Sequence, residues 1–197
     1  MRLIVGLGNP GREYELNRHS VGFMVADALA YAHGLTDLRP KYSGLVSRGT
    51  IGDEEVTLLK PQTFMNLSGD SVQPAASWLK LAPEDMIIVH DELDLPWKTI
   101  RLKTGGGHAG HNGLRSIIQR LGTADFVRVR VGIGRPPAGF RGEIADWVLS
   151  NFDGSERAEL DDVVAASRDA VVDVVRIGMK AAIAALEKRT SGWARKK

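Results

Sequence analysis

The chain of 197 residues contains no cysteine. That excludes disulfides, thiolate metal sites and a cysteine nucleophile, and it fits a reducing, cytosolic address. Long apolar runs are missing as well, since no stretch approaches the roughly 18 residues that cross a bilayer. The start of the chain reads directly into a strand, without a basic segment followed by an apolar one, so neither a signal peptide nor a membrane partner is expected. Also lacking are an internal repeat, a low-complexity linker and any large excess of charge, the balance being +2 from 26 basic and 24 acidic residues. A chain of this length builds one domain with a real core, so residues 1–197 are expected to form a single domain.

What is present is an alternation of strand-like and helix-like segments. Strands are predicted at 2–7, 44–51, 55–61, 86–90, 99–103 and 126–133, and helices at 20–33, 69–81, 111–121 and 155–189. The last of these keeps an apolar stripe over many turns, with Gly178 as a point of interruption. This pattern predicts an α/β fold: one three-layer domain, a twisted, mostly parallel (mixed) sheet flanked by helices, and a long C-terminal helix. Pro136 to Gly142 is the best loop, and whether it and residues 143–149 close over a ligand as a lid is left open by the sequence. Residues 190–197 read as a basic, frayed tail.

The string Val5-Gly6-Leu7-Gly8-Asn9-Pro10-Gly11 matches G-x-G-x-x-G. A dinucleotide site would need a helix opening inside that turn and an acidic residue closing a second strand about 20 residues later. Pro10 disfavours helical geometry at Asn9, and residues 32–40 read as a loop where the second strand should run. The glycines are better explained as shaping a turn that presents Asn9 at the carboxyl end of the first strand. Asn9 then either faces a ligand or bonds its own turn.

Four polar clusters share that position. Asn9 and His19 follow the first strand, Phe64-Met65-Asn66 the third, and His90-Asp91-Glu92 the fourth, while Gly105 to Gly113 opens a helix with His108, His111 and Asn112. If the strands at 2–7, 55–61 and 86–90 are parallel neighbours, these ends converge on one cleft. A histidine near its ~6.5 reference pKa takes a proton from water at neutral pH. A carboxylate on its other nitrogen fixes the tautomer, and asparagine amides can donate to an oxyanion. His19, Asp91 and an asparagine pair therefore suit a water-activating hydrolase without metal; no G-x-S-x-G elbow is present. Phe64 and Met65 also read as ordinary core plugs, and His108, His111 and Asp91 read alternatively as a metal site.

Taken in order, GLGNPG with Tyr14 and Arg18-His19, Lys60-Pro61-x-Thr63-Phe64-Met65-Asn66-x-Ser68-Gly69, His90-Asp91-Glu92-Leu93-Asp94-Leu95-Pro96, GGGHAGHNGL and Arg130 to Pro136 resemble the bacterial peptidyl-tRNA hydrolases over essentially the whole chain. The resemblance implies hydrolysis of the ester between a peptide and the 3′-terminal ribose of tRNA, with no cofactor, by a cytoplasmic monomer. His19 is implied as general base, Asp91 as its orienting carboxylate, and Asn9 as the residue that tells N-blocked from free aminoacyl-tRNA. Tyr14, Phe64, Asn66 and Asn112 are implied to contact the tRNA end or the peptide, with Met65 and His111 lining the same groove. Lys103 and Arg130 are implied to hold phosphate. The chain departs from the family's Thr-Arg-His-Asn by carrying Asn17-Arg18-His19-Ser20, for which local rearrangement with retained activity is expected. A non-catalytic RNA-binding factor on the same fold is the alternative.

Overall fold

The computed structural model describes residues 1–193; of the expected tail, residues 194–197 lie outside the described residues. Seven strands form one sheet: β1 (Arg2–Gly6), β2 (Arg39–Lys41), β3 (Gly44–Ile51), β4 (Glu54–Pro61), β5 (Met86–Glu92), β6 (Ile100–Thr104) and β7 (Val127–Gly132), in spatial order β2-β3-β4-β1-β5-β7-β6. The four central strands β4, β1, β5 and β7 run parallel, and β2, β3 and β6 extend the sheet antiparallel at its edges. Parallel strands buried on both faces read as continuous apolar runs. β5 does so in Met86-Ile87-Ile88-Val89 and then carries His90, Asp91 and Glu92 into the buried interior at its carboxyl end.

Helices α1 (Val21–His33) and α5 (Gly154–Thr190) cover one face, and α2 (Gly69–Trp78) and α3 (Asn112–Leu121) the other. A fifth helix, α4 (Ile144–Val148), lies within the stretch expected to be loop or lid. A box in which the Glu143 N–H donates to Asp146 Oδ2 at 2.7 Å starts it. Five residues are too few to show a helical period, which is why the sequence did not declare it. β2 likewise begins where the sequence reads as loop. It is three exposed residues with a proline at its centre, as edge strands often are.

The long C-terminal helix is interrupted where expected: Gly178 takes φ 78° and ψ 167°, non-helical values open to glycine alone. Beyond Thr190, Trp193 packs against the core on the α5 face. Among the described residues no helix is long and apolar enough to cross a membrane.

The glycines of the first turn are explained by close packing. A Cβ on Gly6 would come within 2.3 Å of the Gly22 carbonyl oxygen, and one on Gly8 within 2.6 Å of the Phe23 ring. Gly11 takes φ 116°. The turn lets α1 approach β1 closely and delivers Asn9 to the carboxyl edge of the sheet. That edge at β1, with β4 on one side and β5 on the other, is the switch point at which open α/β sheets bind ligands.

Candidate active site

A cleft of about 660 Å³ opens at this edge. It is lined by nine residues singled out from the sequence: Asn9, Tyr14, His19, Phe64, Met65, Asn66, Asp91, His111 and Asn112. His19 sits in a single 3-10 turn (Arg18–Ser20) that leads into α1. Its Nδ1 lies 2.9 and 3.0 Å from the two oxygens of Asp91, whose side chain is 1% exposed. A carboxylate accepts, so Nδ1 carries the hydrogen and Nε2 keeps its lone pair.

His111 is the N-cap of α3, its Nδ1 accepting the Gly113 and Leu114 N–H groups at 3.1 and 3.3 Å. That puts its hydrogen on Nε2, which donates to Asp91 Oδ1 at 2.8 Å. His90 donates from Nδ1 to the Asp91 carbonyl oxygen at 2.7 Å and holds that backbone in place. Three histidines thus surround one aspartate, each with a different task.

Electrostatics follow this arrangement. Burial pushes the His19 pKa down, but the Asp91 charge and hydrogen bond outweigh it and leave the imidazole above its usual 6.5. Burial would raise the Asp91 pKa; the charges and hydrogen bonds of His19 and His111 hold it well below the usual carboxylate value. Complete burial, aided by His111, pushes His90 down to about 3, so it stays neutral and serves only as a donor.

Asn9 enters from the loop after β1. Its Oδ1 accepts the Met65 N–H at 2.8 Å, which fixes the amide orientation and leaves the NH₂ as the group with unused donors. Ser20, one of the two departures from the family pattern, accepts the Asn9 N–H at 3.3 Å. Asn17, the other, donates from Nδ2 to Asn151 Oδ1 at 2.6 Å. Both side chains are employed and the turn that carries His19 is intact. Met65 is buried, whereas Phe64 stays 57% exposed at the rim of the cleft.

Lys103 and Arg130 are not brought into the cleft. They lie on adjoining strands, where Arg101 pairs with Arg130 and Lys103 with Arg128, beside the glycine-rich loop. Arg130 donates to Glu92 Oε1 at 2.7 Å, and Arg128 is spent on the Gly106 and Gly107 carbonyls.

His108, which the alternative metal reading required, bonds the Gly110 N–H through Nδ1 and does not join the cluster. Nδ1 of His19, an Asp91 oxygen and Nε2 of His111 do lie within 4.8 Å of one another, a spacing that could hold a cation. In the neutral pair both ring nitrogens already direct hydrogens at the carboxylate. Ile144, Val148 and Leu149, in α4 and at its end, line the cleft within the 143–149 stretch weighed as a lid; what the sequence did not show is that this stretch is helical. The apolar spacing of 144, 148 and 149 was its only signal.

A switch-point cleft holding a buried histidine–aspartate pair and a set of amide side chains has the form of an enzyme site on an α/β fold. The model of the peptidyl-tRNA hydrolase family matches residues 3–193, and the chain belongs to that family. It is 57% identical to the peptidyl-tRNA hydrolase of Sorangium cellulosum over 183 residues, 93% of this chain and 82% of the relative. The enzyme of Paracoccus denitrificans is 54% identical over 164 residues, 83% and 68% of the two chains. A crystal structure of peptidyl-tRNA hydrolase from Acinetobacter baumannii superposes with a TM-score of 0.87 at 40% identity, covering 94% of each chain.

Proposed function

We propose that the protein hydrolyses the ester joining a peptide to the 3′-terminal ribose of tRNA, with His19 as general base and Asp91 as the residue that orients it. The observation that carries this reading is the buried His19–Asp91 contact of 2.9 Å beside the cleft, which leaves Nε2 as the base. In the proposed step Nε2 takes a proton from water as the water oxygen bonds to the ester carbonyl carbon. The carbonyl oxygen becomes an oxyanion, to which the Asn9 NH₂, its donors unused, can donate. The intermediate collapses with cleavage of the bond to the ribose oxygen, and the imidazolium returns its proton to that oxygen.

Asn9, Asn66 and Asn112 offer amides to peptide backbone groups, which suits a substrate whose side chains vary. Tyr14 and the half-exposed Phe64 ring offer faces on which an unpaired base can stack. Met65 and His111 line the same groove, and Lys103 supplies charge for phosphate of any sequence, with Arg130 on the adjoining strand able to do so only by sharing its pairing with Glu92. We place the protein in the cytoplasm as a monomer needing no cofactor.

The test is release of labelled N-acetyl-aminoacyl-tRNA in the presence of EDTA, beside the unblocked aminoacyl-tRNA. Cleavage of the blocked substrate only, with His19→Ala at least ~100-fold slower, is expected. Tight binding of tRNA without cleavage would favour the RNA-binding alternative.

A further inference from the structure

The residue before the base is a buried cation. The Arg18 side chain is 3% exposed and reaches three acceptors at once: Nη1 donates to Ser150 Oγ at 2.6 Å and to the Asn151 carbonyl at 2.5 Å, and Nη2 to Glu156 Oε2 at 2.5 Å. Its guanidinium carbon lies 3.8 Å from the centre of the Trp147 ring. The Arg18 N–H donates to the Ser150 carbonyl at 3.1 Å, and Asn17 forms an isolated bridge with Asn151. Nothing in the chemistry proposed for the cleft uses this group.

Its partners share one property. Trp147 belongs to α4, Ser150 and Asn151 follow α4, and Glu156 lies in the first turn of α5, where its Oε2 also accepts the Asp153 N–H at 2.8 Å. Arg18 therefore grips, by one planar group, the whole segment that carries the apolar wall of the cleft. His19 is the next residue on the same 3-10 turn.

A buried ion pair is a poor device for stability alone, because two apolar side chains of like volume serve as well or better. A lysine would supply the charge but not the fork or the flat face. What this arrangement gives is fixed geometry between two parts of one site. We propose that Arg18 is a positioning residue for the reaction: a single guanidinium sets the aim of His19 toward the cleft and seats α4 in the cleft wall. The inference rests on the reading of His19 as the base. Arg18 touches no reacting atom and acts through its neighbours.

Two variants test this with blocked aminoacyl-tRNA as substrate: Arg18→Met with Glu156→Leu, which replaces the pair by apolar groups, and Arg18→Lys. Thermal unfolding reports the fold, while kcat, KM and the acid limb of the pH–rate profile report the role. The double variant is expected to unfold cooperatively near the wild-type temperature, yet to lose ~10-fold or more in kcat and raise KM. Its acid limb should move back toward ~6.5, because the contact that raises His19 loosens. Arg18→Lys should show the same changes in smaller measure, and it decides the matter alone if the double variant does not fold.

Wild-type kcat, KM and acid limb in a folded variant would overturn the proposal. So would a lowered melting temperature with those three unmoved, the signature of a purely structural role. His19→Ala, run alongside, separates the two readings. If it is slow while the Arg18 variants are normal, positioning fails and the base stands; if it is fast, the base reading itself has failed.

Discussion

At the residue scale the centre depends on hydrogen-bond direction. Asp91 has only acceptors to offer, so each histidine around it must present a hydrogen, and each is free to do so for a separate reason: His111 because α3 fills its other nitrogen, His19 because its Nε2 looks to the cleft. Asp91→Asn keeps the shape but supplies an N–H where an acceptor is needed, and it removes the charge. We expect kcat to fall by ~10²-fold or more. The sign of the pH effect is set by the role: a base works unprotonated, and a pKa held above 6.5 places the acid limb above that value, activity falling as pH drops through it. In Asp91→Asn the limb should shift to lower pH; an unmoved limb would remove Asp91 from its role. His19, Asp91 and Asn9 were legible in the sequence because they follow strands at the edge where such sheets bind. The tasks of His90 and Arg18 were not, since their partners are buried groups distant in sequence or a neighbouring carbonyl.

At the element scale, strands and helices long enough to show a period were read from the chain within a few residues. β2 and α4 were not, because three and five residues carry no period. The G-x-G-x-x-G string shows how an element contact can imitate a motif. Its glycines answer to α1, and the partner glycine is equally constrained: a Cβ on Gly22 would lie 2.5 Å from the backbone N and O of Leu7 and from the Val89 carbonyl oxygen. Backbone on all sides cannot yield without moving β1 or β5. Gly22→Ala should therefore destabilise by about 1–3 kcal/mol, read as a drop of several degrees in the thermal midpoint. An unchanged midpoint would mean that α1 can lift from the sheet at no cost.

At the scale of the whole molecule, the formal charge of +2 conceals an uneven distribution. Four of the basic residues that flank the glycine-rich stretch in sequence are neutralised locally: Arg120 by Asp70, Arg135 by Asp94, Lys98 by Glu159 and Arg130 by Glu92. Lys103 makes no ion pair among the described residues and lies exposed beside the loop. If it meets phosphate, KM should rise with salt, and Lys103→Ala should lessen the slope of log KM against log salt by ~0.7–0.9, one contact's worth. Equal slopes for variant and wild type would take Lys103 out of the interface. Sequence gave the cations but not their partners, and pairing decides which of them remain available.

The bonds between the turn at His19 and the segment after α4 also impose an order in time. Arg18 finds its acceptors 132 to 138 residues further along the chain. A chain made from its N-terminus carries the histidine long before Ser150 or Glu156 exists. Domains settle as units once their pieces are present. The last quarter of the sequence thus supplies the acceptors that Arg18 bonds. A copy still under synthesis is itself a peptide on a tRNA, and for most of that time it carries His19 before the residues that Arg18 bonds have been made.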